Sequence, residues 1–180
     1  MPRLFVAIEL PDEVKQRLTR LRADIPGATW VKPGAYHLTL RFLGDQIEAA
    51  RVPAIVDALG MVQAAPFDLV LQGVGRFPPK GSARVLWVGT GEQPALVNLH
   101  RAVESALETV GFPPESRPFS AHITLARLKQ DARQQVDAFL NQQRRFRSEP
   151  IAVSSFHLIE STLTPQGPQY RHEATFDLRS

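Results

Sequence analysis

Seven stretches of the chain are rich in branched or aromatic residues, or alternate apolar with polar positions. They predict strands over 4–9, 36–43, 67–75, 84–90, 119–128, 151–160 and 170–178. Between several of them the apolar positions recur at helical spacing. Val14, Leu18 and Leu21 share one face after Pro11, predicting a helix over 12–23, and 47–61, 94–110 and 131–141 read the same way. Gly111, Pro113 and Pro114 stop the third helix. The predicted order is β-α-β-α-β, then the same again with one extra strand, the second set starting about 80 residues after the first, the sign of an internal duplication. The expected fold is α+β: two pseudo-symmetric lobes with antiparallel sheets facing a central groove and helices on the outer faces. Pro78, Pro79 and Gly81 punctuate two apolar runs and suggest a boundary. We therefore expect one bilobal domain over 1–180, its lobes formed by halves 1–77 and 82–180, with exchange of the terminal strands between lobes left open.

Composition narrows the class. The chain has 180 residues, 43% of them hydrophobic and 22% charged, which suits a single globular unit and excludes a disordered or fibrous chain. Cysteine is absent, removing disulfides, thiolate nucleophiles and thiolate metal sites, so a reducing cytoplasm is expected. The opening residues carry neither a secretory leader nor a spanning segment, so no membrane association is expected. Twenty-one Lys and Arg against eighteen Asp and Glu leave a net charge of +3, a mild bias towards anionic partners. Nothing points beyond a monomer.

The candidate chemistry lies in a repeated tetrapeptide. His37-Leu38-Thr39-Leu40 and His122-Ile123-Thr124-Leu125 occupy corresponding predicted strands, 85 positions apart. Strand alternation points His37 and Thr39 one way and their leucines the other, and does the same for His122 and Thr124. A single His-x-Thr in a strand needs no functional explanation. Two copies at the repeat period do, because facing strands would gather two imidazoles and two hydroxyls around one volume. Two imidazoles, each titrating near a pKa of about 6.5, can serve as base and acid on opposite sides of a cyclic phosphodiester. Threonine hydroxyls and an arginine would hold the phosphate oxygens. The other histidines, His100, His157 and His172, lack the pattern and are expected to be structural or exposed.

The carriers Arg3-Leu4-Phe5-Val6-Ala7-Ile8, Tyr36-His37-Leu38-Thr39-Leu40-Arg41-Phe42-Leu43-Gly44, Arg84-Val85-Leu86-Trp87-Val88-Gly89 and Ala121-His122-Ile123-Thr124-Leu125-Ala126-Arg127 span nearly the whole chain. In order and content they resemble the 2H phosphoesterases, and within them the bacterial and archaeal RNA 2′,3′-cyclic phosphodiesterases, or 2′-5′ RNA ligase-like proteins. The resemblance implies an enzyme, an RNA 2′,3′-cyclic 3′-phosphodiesterase that leaves a 2′-phosphate. It implies His37 as proton donor to the leaving 3′ oxygen, His122 as the proton acceptor that activates water, and Thr39, Thr124 and Arg127 as phosphate-binding residues. It also implies RNA ends, tRNA fragments among them, as partners, with no metal and no organic cofactor.

Parity raises a difficulty. Arg127, five positions after His122, would point away from the groove unless the strand bends or ends after Leu125, whereas Arg41, four after His37, has the favourable spacing. Ala121 stands where the family often has proline and loosens the backbone before His122. Phe77, Tyr36, Trp30 and Phe119 are candidates for stacking a terminal base, Phe77 first because of its Pro-Pro-Gly context, and Arg76, Lys80 and Arg84 offer a phosphate path. The rival readings are a small cyclic nucleotide as substrate, 2′-5′ RNA ligation, an RNA-binding module without turnover, and a metal held by His37 and His122. The last lacks the three or four strong ligands that zinc takes.

Overall fold

The computed structural model describes residues 2–179. In chain order its elements are β1 (Arg3–Glu9), α1 (Asp12–Thr19), β2 (Ala28–Trp30), β3 (His37–Gly44), α2 (Val52–Gly60), β4 (Phe67–Leu69), β5 (Val74–Phe77), β6 (Val85–Gly89), α3 (Pro94–Glu108), β7 (His122–Leu128), α4 (Arg133–Gln143), β8 (Ile151–Val153), β9 (Ser155–Thr164) and β10 (Gly167–Asp177). The fold is α+β. One four-stranded sheet has the order β10-β9-β1-β3, a second β2-β7-β6-β5, and β4 pairs with β8 alone. Every pairing is antiparallel.

The sheets do not follow the halves of the chain. The first combines β1 and β3 with β9 and β10; the second surrounds β6 and β7 with β2 and β5. The Pro-Gly stretch that suggested a boundary lies in the connection between β5 and β6, which pair from Val74↔Val88 to Phe77↔Val85. It closes a hairpin inside the second sheet and divides nothing, because pairing across it binds the two halves together. Arg76 braces this loop from within by donating to the carbonyls of Pro78 and Gly81. The predicted strand over 67–75 is broken after Leu69, and Gly73 (φ 75°) turns the chain into β5.

The apolar faces explain the layering. Leu4, Val6 and Ile8 of β1, Leu38 of β3, Leu86 and Val88 of β6, and Ile123 and Leu125 of β7 are fully buried. They join Leu18 of α1, Ile55 of α2, Leu99 and Val103 of α3 and Phe139 of α4 in one contiguous core. Each such leucine contributes about 2 kcal/mol by leaving water. In α3 the buried positions Leu96, Leu99, Val103 and Leu107 follow the helical stripe, and Gly111 (φ 93°) ends it. The opposite face of the first sheet carries a second, small cluster, Phe5, Ala7 and Ile159 with Tyr170 packed against it. The candidate residues His37 and Thr39 stand beside this cluster.

Candidate active site

Residues directly opposite one another in an antiparallel pair point to the same face. In the first sheet Glu9 opposes His37, Ala7 opposes Thr39 and Phe5 opposes Phe42. His37 and Thr39 therefore share the face of the small cluster and turn away from the main core. Between Thr39 and Arg41 the register slips by one residue, since Ala7 pairs with Thr39 but Val6 with Arg41. That bulge at Leu40 reverses the alternation and sends Arg41 to the core side. There its guanidinium meets Glu104 Oε1 of α3 at 2.6 Å and Glu115 Oε1 at 3.1 Å, and it is 8% exposed. The even spacing that favoured Arg41 as a phosphate ligand is overturned by this bulge and by its ion pairs.

The second sheet repeats the device with the opposite result. Gly89 opposes His122 and Trp87 opposes Thr124, but Leu86 pairs with Ala126 and Val85 with Arg127, leaving Leu125 as the extra residue. Arg127 returns to the face of His122 and Thr124, so the parity difficulty disappears. By the repeat, Arg127 corresponds to Phe42, and Arg41 to Ala126.

The two imidazoles are held differently. His37 is 8% exposed, and its Nε2 is buried without a hydrogen-bond partner among the described residues, 3.8 Å from Glu9 Oε1. The rings of Phe5 and Tyr170 meet it edge-on at 5.5 and 4.8 Å. Burial pulls its pKa down to about 4, with Glu9 opposing and Lys15, His172 and His157 adding to the fall. His122 is half-buried at the start of β7, and its Nδ1 lies 2.8 Å from the Ser120 carbonyl oxygen. A carbonyl only accepts, so Nδ1 carries the proton and the Nε2 of the neutral ring keeps its lone pair. The Phe77 ring stands edge-on to His122 at 5.0 Å and leans on Trp87 at 5.3 Å.

The two faces meet. β3 and β7 lie against each other, and the Tyr170 hydroxyl, its pKa raised by burial, is influenced in the opposite direction by Arg3 of its own sheet and Arg127 of the other. Beside His122 a cleft of about 430 Å³ runs from Trp87 and Gly89 past Thr90 to Phe119 and Ser120. Thr39 is exposed and Thr124 half-buried.

Of the other aromatic candidates, Tyr36 is fully buried and cannot stack a base, and Trp30 packs edge-on against Phe139 of α4 at 5.9 Å. Phe119 lines the cleft and stacks flat on His100, 3.9 Å between centroids. The pattern of the sequence did not single out Glu9, Tyr170, His157 or His172. Glu9 opposes His37, His157 opposes Ala7, and His172 opposes Ile159, so all lie on the His37 face. His172 Nε2 is 3.0 Å from Glu9 Oε1. Burial would raise the Glu9 carboxyl, but the hydrogen bond and charge of His172, with Lys15 and His157, hold it below the usual range. Alternation along 155–161 and 170–177 could have flagged this row; the absence of a motif hid it.

Comparison with known proteins identifies the family. The LigT-like phosphoesterase family matches the chain twice, over residues 8–87 and 88–170. An Archaeoglobus fulgidus protein named RNA 2′,3′-cyclic phosphodiesterase is 33% identical over 97% of this chain and 99% of its own. Among solved structures, TT0787 of Thermus thermophilus superposes with a TM-score of 0.81 at 32% identity over 98% of each chain. E. coli LigT, solved with 3′-AMP, superposes with a TM-score of 0.80 at 26% identity over the full length of both. With both repeats matched and the paired His-x-Thr strands in place, the chain belongs to the LigT-like phosphoesterases, a family of enzymes.

Proposed function

We propose that this enzyme hydrolyses 2′,3′-cyclic phosphate ends of RNA to 2′-phosphomonoesters, with His122 as general base and His37 as general acid. The observation that carries the reading is the pair of His-x-Thr strands, β3 lying against β7, with one imidazole keeping an Nε2 lone pair and the other enclosed beside a carboxylate. The name of the archaeal relative supports the same substrate. His122 Nε2 takes a proton from water as the water oxygen attacks phosphorus. The bond from phosphorus to the 3′ oxygen breaks, and that oxygen receives the proton of His37, leaving a 3′-hydroxyl and a 2′-phosphate. Thr39, Thr124 and Arg127 hold the non-bridging oxygens, where charge grows in the transition state. His37 is neutral in the free protein at pH 7 because of its burial. The anionic phosphate entering the groove, together with Glu9, supplies the negative charge that makes the protonated ring stable. Phe77 offers its face to the terminal base, and the cleft beside His122 gives the remaining strand a path. Within a cysteine-free chain this chemistry suits a monomer working in the cytoplasm, tRNA fragments being one source of such ends.

The test is incubation of a short RNA bearing a 2′,3′-cyclic phosphate with the wild type, His37→Ala and His122→Ala in chelator, followed by end analysis. A 2′-phosphate is expected from the wild type, with each variant slower by about 10²–10⁴-fold. Untouched ends with the wild type would redirect the reading to a smaller cyclic nucleotide, to ligation or to RNA binding alone. Unchanged turnover in both variants would sink the two-histidine scheme.

A further inference from the structure

Glu9, His157 and His172 sit on three neighbouring strands, β1, β9 and β10, and their donor atoms all lie within 4.8 Å of one another. The scheme above gives His157 and His172 no role. Their surroundings are those of ligands. Thr175 Oγ1 lies 2.9 Å from His157 Nδ1, an arrangement that holds the ring in place and leaves Nε2 to point elsewhere. The His157 and His172 rings stack at 4.3 Å, so the two imidazoles are already gathered next to the carboxylate. The fourth feature is His37, whose buried Nε2 has no hydrogen-bond partner among the described residues and lies 3.8 Å from the same Glu9 oxygen that His172 approaches at 3.0 Å.

We propose that Glu9, His157 and His172 form a binding site for a borderline divalent cation of the Zn²⁺ class, with His37 Nε2 within reach as a fourth ligand. Zn–N and Zn–O bonds of about 2.0–2.2 Å separate neighbouring ligand atoms by roughly 3.0–3.5 Å, so side-chain rotations close the set around an ion without moving the strands. Two imidazoles and one carboxylate suit zinc better than calcium or magnesium, which prefer all-oxygen shells. In the ion-free protein His172 donates an Nε2 proton to Glu9; on binding, the ring carries its proton on Nδ1 and gives Nε2 to the metal. No covalent chemistry is involved. Drawing His37 Nε2 onto the ion would remove the proton donor, so zinc acts as an inhibitor. That consequence, though not the site itself, rests on the proposed role of His37.

Titration calorimetry of the metal-free wild type with ZnCl₂ tests the site directly. One Zn²⁺ per chain is expected, with His157→Ala and His172→Ala each weakening it by more than about 100-fold, beyond the loss of a group that only orients a ligand, while far-UV circular dichroism stays unchanged. Glu9→Gln keeps the size of the side chain and decides the matter if either histidine variant fails to fold. No uptake by the wild type, or uptake unchanged in the variants, overturns the site. In parallel, hydrolysis of the cyclic-phosphate RNA should fall with a midpoint matching the calorimetric affinity. Zinc that binds without slowing turnover would overturn the link to His37. A wild type that never hydrolyses the RNA would fail the functional reading while leaving the calorimetric result intact.

Discussion

Two arginines separate packing from chemistry. Arg41 and Glu104 are a buried, close pair, and removing one member of such a pair leaves the other charge stranded. Arg41→Ala should lower the unfolding free energy by about 3–5 kcal/mol in urea titrations. Arg127 is exposed on the groove face, so Arg127→Ala should cost under about 0.5 kcal/mol in stability. It should nevertheless reduce kcat by about 10²-fold, the scale of losing one charge-stabilising donor. The reverse pattern would contradict the bulge assignment. His37 adds a pH signature. Its folded pKa of about 4 lies below the unfolded value of 6.5, so its contribution is fully present above pH 6.5 and is lost as pH falls through 4. At about 1.4 kcal/mol per pH unit this amounts to roughly 3 kcal/mol. In His37→Gln the decline in stability between pH 6.5 and pH 4 should be shallower by that amount, measured by urea unfolding across the range.

Among the elements, the strands bearing the His-x-Thr pairs place Arg41 and Arg127 on opposite sides through an irregularity. The alternation of His37 with Thr39 and of His122 with Thr124 was legible, because both pairs lie before the bulges, where the period of two holds. The bulges at Leu40 and Leu125 were not, since leucine there is compatible with either register and only the partner strand reveals the slip. The same reason hid the row of Glu9, His157 and His172, which becomes a group only through pairing between distant strands. A second element-level constraint is Gly75 of β5. It opposes Trp87, and a Cβ there would fall within the indole ring. Gly75→Ala should displace Trp87, shift the tryptophan fluorescence and destabilise the fold by about 1–3 kcal/mol. Turnover should fall with it, because Trp87 supports Phe77 against His122.

At the scale of the molecule, the duplication was readable from order and spacing, and the family matches each repeat in turn. Which strands share a sheet was not, because local pattern fixes what a strand buries and leaves its neighbours open. Since the first sheet draws β1 and β3 from one half and β9 and β10 from the other, a chain of residues 82–180 alone should lack a cooperative unfolding transition by circular dichroism, as should 1–81. A cooperative transition in either would mean that the halves are independent. The central position of β1 has a further consequence, one of timing. Its run Leu4-Phe5-Val6-Ala7-Ile8 is synthesised well before the strand that covers its second edge, which begins at Ser155. At synthesis rates of about 5–20 residues per second, that apolar edge waits roughly 7–30 s for its partner. For this interval the nascent chain exposes an unpaired sticky strand, and His37 lacks the Tyr170 wall that encloses it, so the site closes only after β9 and β10 have been made.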